Sequence, residues 1–307
     1  MTRPRGSLAD AGAPLPEDRV GPPPCEVCRT PTAAWPIGDG CELWRCPSCG
    51  HVARDLERCW ANARAHAWGG DPGFDRIRSA LTMRSLRSVA PRAGPIDVLE
   101  IGFGRGLLLG RFVERGDRVS GIDPGMLERG LTGPLRGRAT LHALPAEEVD
   151  LAPGSFDLIY GIHVIEHLRD PAAVFASCHR ALRPGGSLYL MTPNAASKGL
   201  ELFGPAWWNL EDPTHVRFFS RVSVTRALRD AGFDRVLTRV PRWDSLTLEI
   251  SSLLRKVGRR AGRHGVLASK ATLPVYAALL PVAAAARALW PAVSPSMEVL
   301  ARKGPGG

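Results

Sequence analysis

The sequence predicts an α/β protein in which a mostly parallel sheet, with helices on both faces, follows a small cysteine-rich module. Two patterns in the 307 residues predict it. A glycine-rich turn at 102–106 comes directly after a short apolar run, as in a buried parallel strand that leads into a helix. Two Cys-x-x-Cys pairs, at 25–28 and 46–49, stand in front of that unit.

Composition describes a globular chain with a basic surface. Hydrophobic residues make up 44% of it, which supports a packed core, and the formal net charge is +10. Such an excess of cations suits nucleic acid or an anionic membrane. The alternative is a general richness in Arg, Ala, Gly and Pro. Residues 1–24 contain much Pro, Gly and charge and no apolar core for a secretory signal, so they predict a disordered tail.

The cysteine-rich module, 25–54, predicts a zinc ribbon. Seventeen residues separate the two knuckles, enough for a hairpin with strands at 35–37 and 43–45. Two facing knuckles offer four thiolates in a tetrahedral, closed shell, so the zinc is expected to be structural rather than catalytic. The predicted metal ligands are Cys25, Cys28, Cys46 and Cys49.

The remaining cysteines are expected to be unpaired. The total of seven is odd, and two pairs have zinc spacing, which argues for a reducing, cytoplasmic compartment rather than a disulfide framework. Cys41 is interpreted as a small hydrophobe, and His51 as a residue that simply follows the second knuckle. A nucleic-acid-binding ribbon is the alternative, but basic residues in the module are few and unclustered.

The glycine spacing favours a cofactor without a pyrophosphate. The turn reads GxGxG, and Leu107 stands where the dinucleotide fingerprint has its third glycine. Glu100, at the end of the preceding strand, is able to hold an ammonium group. Asp123, after the next strand, is able to accept hydrogen bonds from two ribose hydroxyls. A nucleoside with a positive centre fits these residues better than NAD does.

These residues and the motifs that follow resemble class I S-adenosylmethionine-dependent methyltransferases. Order and spacing match over roughly 96–194. The resemblance implies a Rossmann-like sheet of seven mostly parallel strands and S-adenosylmethionine as cofactor. It also implies that Gly102, Gly104 and Gly106 approach the methionine part and that Asp123 binds ribose. The matching motifs are 100–106, 121–123, 154–160, 163–171 and 182–186.

The remaining secondary structure follows from periodicity and caps. Asp170 is expected to cap a helix that begins at Pro171, and His163 is expected at the carboxyl edge of the sheet, beside the cofactor. The other predicted elements are helix 74–88, strand 96–101, helix 107–115, strands 118–122, 158–161 and 187–192, helix 220–231, and strands 233–240 and 296–303.

The adenine contact departs from the family pattern. Pro145 stands where many relatives have an acidic residue, so Glu147 or backbone groups are expected to serve instead. The alternative places Glu147 and Glu148 on an exposed surface turn.

The acceptor is expected to lie under the aromatic stretch 203–220, which resembles the lid of small-molecule methyltransferases. Its Trp pair, 207–208, is either part of that lid or core packing. A base is needed where the accepting atom must lose a proton, and His is suited to that role near neutral pH. The predicted catalytic residues are His167 and His215.

An insertion, 241–295, precedes the final strand. It combines a helix at 246–254, a basic run from 255 to 270 and an apolar stretch at 272–293. This combination predicts peripheral contact with anionic membrane through 246–293. A helical cap or a dimer interface is the alternative.

Together these observations predict methyl transfer to a small molecule: a sugar, polyketide, quinone-like or lipid-linked intermediate. Two alternatives remain, an RNA methyltransferase and a non-catalytic zinc-ribbon binding protein with a degenerate Rossmann-like domain. The lid-like stretch disfavours nucleic acid. The expected organisation is tail 1–24, zinc ribbon 25–54, helical lead-in 55–95, Rossmann-like domain 96–240, helical insertion 241–295, and final strand and tail 296–307.

Overall fold

The structure is a computed structural model that describes residues 22–59, 72–90, 94–125, 135–241, 246–258 and 273–306. Most of the predicted tail, 1–24, and most of the predicted basic run, 255–270, lie outside these residues.

The described residues form eleven strands and seven α-helices. The strands are β1 (Ala33–Gly38), β2 (Cys41–Arg45), β3 (Val52–Ala53), β4 (Asp97–Ile101), β5 (Arg118–Ile122), β6 (Ala139–His142), β7 (Phe156–Ile162), β8 (Leu182–Pro193), β9 (Arg217–Phe218), β10 (Arg235–Arg239) and β11 (Ser296–Arg302). The helices are α1 (Pro72–Val89), α2 (Leu107–Arg115), α3 (Pro171–Ala181), α4 (Lys198–Phe203), α5 (Arg221–Asp230), α6 (Leu246–Gly258) and α7 (Leu273–Leu289).

Seven of these strands form the central sheet, in the order β10-β11-β8-β7-β4-β5-β6. The pairs β4–β5, β5–β6, β4–β7 and β7–β8 are parallel, whereas β11 is antiparallel to both of its neighbours. The predicted mostly parallel, seven-stranded sheet is therefore confirmed. Its two faces carry separate apolar cores, one centred on α3 and α5 and the other on α1 and α2.

Local signals explain the helix boundaries near the site. Gly116 ends α2 in the left-handed conformation (φ +90°), and its N–H donates to the carbonyls of Phe112 and Val113. Asp170 caps α3 as predicted, because its carboxylate accepts the N–H of Ala173 at 3.0 Å.

The cysteine knuckles belong to a second, four-stranded sheet with the order β1-β2-β3-β9. The hairpin β1–β2 agrees with the predicted strands. Strand β9 comes from far along the chain: Val52 pairs with Phe218, and Ala53 with Arg217. The ribbon is thus joined by backbone hydrogen bonds to the stretch that was predicted to cover the acceptor.

Helices α6 and α7 pack against each other through a buried ion pair. Arg287 on α7 donates to the Glu249 carboxylate on α6 and to the carbonyl of Pro241. None of the described helices is both long and apolar enough to cross a membrane. The pair nevertheless exposes several large apolar side chains: Leu253, Val257, Val275, Val282, Leu289 and Trp290.

One expectation about the cysteines is wrong. Cys41 is not a lone hydrophobe, because it forms a disulfide with Cys59. The turn after β3 folds back on β2, where the N–H of Glu42 donates to the carbonyl of Arg58, and this brings the two cysteines together. Nothing in the spacing of these cysteines separates such a pair from two free thiols.

Some predicted boundaries also differ. The fifth strand of the central sheet begins at Leu182 rather than 187, because Phe156 on β7 already pairs with Leu182. Strand β10 covers only Arg235–Arg239 of the predicted 233–240, and α6 extends to Gly258 instead of ending at 254.

Candidate active site

The glycine turn lies at the carboxyl end of β4, between that strand and α2. Gly102, Gly104 and Gly106 all have positive φ, at +71°, +56° and +74°. A Cβ on Gly102 would lie 2.8 Å from Cγ2 of Val164, so a side chain there has no room. The turn therefore exposes bare backbone where a ligand can approach closely.

Asp123 follows β5 and lies against this turn. Its Oδ2 accepts the N–H of Gly104 at 2.7 Å, and its Oδ1 accepts the N–H of Gly125 at 2.8 Å. The carboxylate is buried. The structure thus brings together the glycine turn and the acidic residue that were predicted to share one ligand.

Glu100 lies beneath the turn, on β4. Its Oε2 accepts the Tyr160 hydroxyl at 2.8 Å. Burial, helped by the nearby negative charge of Asp123, raises the pKa of Glu100 to about 8, although the Tyr160 hydrogen bond opposes this shift. A bound ammonium group would favour the ionised carboxylate instead.

The predicted adenine residue, Glu147, is engaged in a local contact. Its Oε1 accepts the backbone N–H groups of Arg169 and Asp170, at 2.7 and 3.3 Å. The carboxylate therefore ties the 3-10 turn at 146–148 to the start of α3.

A cluster of three histidines surrounds Glu166 at the same sheet edge. Glu166 is fully buried; its Oε1 lies 3.3 Å from Nδ1 of His163 and 3.9 Å from Nε2 of His215, and its Oε2 accepts the Thr192 hydroxyl at 3.0 Å. Burial alone would raise the pKa of Glu166, but the hydrogen bond from His163 and the charges of the neighbouring imidazoles lower it to about 2.

His163 is placed by its backbone. Its φ is +54°, which is uncommon for a residue other than glycine, and its N–H donates to the carbonyl of Met191 at 2.7 Å. This conformation directs the chain out of β7 toward the cluster.

Hydrogen bonds fix the tautomer of His167. The Thr214 hydroxyl lies 2.6 Å from Oδ1 of Asp212 and 2.8 Å from Nδ1 of His167. A hydroxyl has one proton, and the carboxylate only accepts, so that proton goes to Asp212 and Nδ1 of His167 must donate. In the neutral ring, the lone pair is therefore on Nε2.

The same reasoning applies to His215. Its Nδ1 lies 2.7 Å from the carbonyl oxygen of Asn209, which only accepts, so Nδ1 carries a proton. Burial, together with the nearby His167 ring, lowers the pKa of His215 to about 4. Near neutral pH the ring is uncharged, with its lone pair on Nε2. The two imidazole rings lie 4.6 Å apart, centroid to centroid.

A comparison with known families decides the class. The family model described as a methyltransferase domain matches residues 74–238, which is 165 of the 307 residues. This chain belongs to the methyltransferase family. Its fold is that of the class I S-adenosylmethionine-dependent enzymes, as the sheet order and the glycine turn already indicated.

Among curated proteins, the methyltransferase is similar to the ubiquinone biosynthesis O-methyltransferase of Pseudomonas aeruginosa strain UCBPP-PA14. The two are 38% identical over 149 residues, which cover 44% of this chain and 62% of the relative. The protein of the same name from Leptothrix cholodnii is 28% identical over 202 residues, which cover 60% of this chain and 84% of the relative. The first match thus spans less than two thirds of that relative's length.

Among solved structures, the methyltransferase resembles the [4+2]-cyclase SpnF. The identity is 18% and the TM-score 0.50, with 80% of this chain and 89% of the other covered. This likeness concerns the fold alone.

Within the part of the methyltransferase that the structure describes, two sets of side chains are able to hold a metal ion. The sulfurs of Cys25 and Cys49 lie 3.6 Å apart, and those of Cys28 and Cys46 lie 3.3 Å apart. A tetrahedral zinc with Zn–S bonds of about 2.3 Å separates its sulfurs by about 3.8 Å, so the four predicted ligands are near that geometry. The second set is Glu166, His167 and His215, whose ligand atoms all lie within 4.8 Å of one another.

The structure brings the two predicted histidines of this methyltransferase together, and it adds residues that orient them and that the sequence did not indicate. Glu166 lies within the matching motif 163–171, and Asn209, Asp212 and Thr214 lie within the aromatic stretch 203–220. The adjacent Glu166-His167 pair and the Asp212-x-Thr214 spacing were the available signals. Trp207 is buried against Phe218, so that half of the Trp pair is core packing.

Proposed function

We propose that this chain transfers the methyl group of S-adenosylmethionine to a hydroxyl of a small, quinone-like acceptor, a phenol or catechol. The observation that carries the proposal is the pair of buried or half-buried imidazoles, His167 and His215, at the carboxyl edge of the sheet. The Nδ1 of each ring donates, which leaves the lone pair of the neutral ring on Nε2. The named O-methyltransferase relatives support the acceptor class.

The cofactor site is proposed to consist of the residues around the glycine turn. Gly102, Gly104 and Gly106 would face the methionine part, Glu100 its ammonium group, and Asp123 the ribose. His163 and Glu147 are proposed as more distant contacts, toward the sulfonium side and the adenine respectively. The positive φ of all three glycines supports this assignment, because it gives a turn of bare backbone at the carboxyl end of β4.

The chemistry asked of the protein is alignment and removal of one proton. Bound S-adenosylmethionine supplies a methyl group that is already activated by a sulfonium. The acceptor oxygen forms the new C–O bond as the C–S bond breaks, and the hydroxyl proton passes to an imidazole Nε2. A phenolic proton, with a pKa of about 10, is within reach of a neutral imidazole when transfer accompanies bond formation.

The assay follows labelled methyl transfer to a panel of catechols and hydroquinols, with and without one prenyl unit. His167→Gln and His215→Gln should each lower kcat about 100-fold, while affinity for S-adenosylhomocysteine stays within twofold. His179→Gln is the matched control, since His179 packs on Phe233 away from the cluster. Absence of methylation on every acceptor with a hydroxyl, or full turnover by the double His167/His215 variant, would overturn the proposal.

The four cysteines are proposed to bind one structural zinc. Cys25, Cys46 and Cys49 are buried. Burial raises the pKa of the Cys25 and Cys49 thiols, whereas at Cys28, although burial opposes the shift, hydrogen bonds from Thr30 lower the pKa to about 6. A bound metal ion would favour the thiolate at all four cysteines. Elemental analysis of the purified protein should find one zinc per chain; none, with the protein still folded, would contradict the assignment.

Peripheral membrane contact through 246–293 is proposed as the second function. The apolar side chains that α6 and α7 expose support it, as Val257 is 75% exposed and Leu289 is 87% exposed. Vesicles of phosphatidylglycerol should co-sediment the protein at low salt, and Leu289→Asp should reduce the bound fraction. Equal binding to neutral vesicles would contradict the preference for anionic lipid, and no binding to either kind of vesicle would argue for a cap or dimer interface instead.

A further inference from the structure

The segment 207–215, here called the acceptor turn, is held by hydrogen bonds from the ribbon. Arg54 follows β3 and is buried. Its guanidinium donates to the carbonyl oxygens of Leu210 at 2.8 Å and Asp212 at 2.9 Å, and its Nε donates to the carbonyl of Cys59 at 2.8 Å. Its own N–H donates to the carbonyl of Val216 at 2.9 Å.

Helix α6 also holds the acceptor turn. Arg255 forms an ion pair with the buried Glu211 carboxylate and donates to the carbonyl of Trp207 at 3.4 Å. One turn earlier on the helix, the Ser252 hydroxyl accepts the N–H of Trp208 at 3.0 Å. Two parts of the chain outside the central sheet thus contact the same short segment through side-chain hydrogen bonds.

These contacts lead directly to His215. The Asp212 carbonyl that accepts from Arg54 also accepts the backbone N–H of His215 at 3.2 Å. The imidazole of His215 donates to the carbonyl of Asn209. The next residue, Leu210, has a carbonyl that accepts from Arg54. The Arg54 guanidinium therefore binds carbonyl oxygens at Leu210 and Asp212, within the segment that orients the His215 ring.

We propose that Arg54 and Arg255 are positioning residues for methyl transfer, and that the ribbon and α6 form a clamp that sets the orientation of His215. The clamp rests on the proposed function only in the role given to His215. The effect of the clamp on the orientation of the His215 ring does not depend on which acceptor is methylated.

The cost of burying Arg54 supports a specific role for this side chain. Burial lowers the pKa of Arg54 to about 10, even though the nearby acidic side chains of Glu211 and Asp212 oppose the shift. An apolar side chain would fill the space without that penalty, but it could not bind three carbonyl oxygens in one plane. Lysine keeps the charge and loses the planar fork, so the two residues are not interchangeable at this position.

The test compares Arg54→Lys and Arg255→Lys with Arg45→Ala, a ribbon variant whose side chain is exposed and lies over Trp35. Nitrogen-15 histidine spectra, with His215 assigned from the His215→Gln variant, report which ring nitrogen carries the proton. In the native protein and in Arg45→Ala, the Nδ1–H form of His215 is expected. In both clamp variants, the ring should shift toward the Nε2–H form. Calorimetry with S-adenosylhomocysteine should give Kd values within twofold of the native protein.

With an accepted catechol, kcat of each clamp variant should fall at least tenfold while cofactor affinity is kept. The double variant should be little worse than the single variants, because both act on one segment. Unchanged His215 resonances in a folded Arg54→Lys protein would overturn the clamp. If no acceptor is methylated, the proposed function fails, but the spectra still decide whether the clamp exists. Should Arg54→Lys not fold, Arg255→Lys supplies the same readout.

Discussion

The hydroxyl of Tyr160 donates to the carboxylate of Glu100 at 2.8 Å, deep under the glycine turn. Both groups are buried, and the pKa of Tyr160 is raised by burial and by the neighbouring carboxyl group. The Glu100 carboxyl group, with its pKa raised to about 8, therefore holds a titratable proton at the point where the ammonium group of the cofactor is expected.

Cofactor affinity should consequently rise with pH. Because the pKa of Glu100 is about 8 in the free protein, the carboxyl group is protonated at pH 6. An ammonium partner requires the ionised form, so binding releases a proton, and affinity for S-adenosylmethionine should increase up to about tenfold per pH unit between pH 6 and 7.5. Calorimetry across this range measures the slope. Glu100→Gln should bind more weakly and without the slope; a flat profile in the native protein would contradict the assignment.

Substituting Gly102 by Ala should distort the glycine turn for two separable reasons, and the distorted turn should no longer bind the cofactor. The left-handed backbone (φ +71°) costs an alanine about 1–2 kcal/mol of folding free energy. The new Cβ would also collide with Val164. Gly116→Ala is the matched control, since it has the same kind of φ (+90°) but no atom within 4 Å of its Cβ. Both variants should melt earlier, but only Gly102→Ala should lose affinity for S-adenosylhomocysteine. Equal affinity in the two would remove the glycine turn from the cofactor site.

Removing metal from the four cysteines should destabilise strand β9 as well as the ribbon itself. Strand β3 directly follows the second knuckle and pairs with β9, so a loosened knuckle should loosen the 217–218 backbone as well. Hydrogen exchange before and after chelation should show lost protection at both places. Cys46→Ser should reproduce this loss, whereas Cys178→Ala, a buried cysteine on α3, should not. Protection that changes only within 25–54 would refute the coupling.

The ion pair between Arg287 and Glu249 should contribute more to the free energy of unfolding than a surface ion pair does. Arg287 is 3% exposed, and removing it takes away the cation that lies against the largely buried side chain of Glu249. Arg287→Ala is expected to cost about 3 kcal/mol, whereas breaking the exposed Arg226–Asp230 pair with Arg226→Ala should cost about 0.5 kcal/mol or less. Denaturant melts of the two variants give both values. Similar losses would show that burial adds nothing to this pair.

Much of the fold was predictable because its signals are local. Helix α2 occupies 107–115 and strand β5 occupies 118–122, as predicted, since glycines and apolar runs mark their ends. Capping of α3 by Asp170 was readable for the same reason. The succession of strand and helix likewise indicated a mostly parallel sheet.

The contacts between distant segments were not predictable in this way. The pairing of β3 with β9 and the disulfide between Cys41 and Cys59 depend on where the chain returns in space, which no spacing encodes. Likewise, the sequence suggested His215 as a base, but its tautomer depends on the carbonyl of Asn209, and that contact exists only once the 209–215 turn has formed.

The four-stranded sheet that combines β1, β2 and β3 with β9 constrains how this protein can be dissected. A shortened chain that ends after the cysteine knuckles would present the β3 edge with its natural partner missing, and a chain that starts after them would leave β9 unpaired. Open edges of this kind favour self-association. Expression of either half by itself should therefore yield aggregated material, and supplying both halves together should restore solubility.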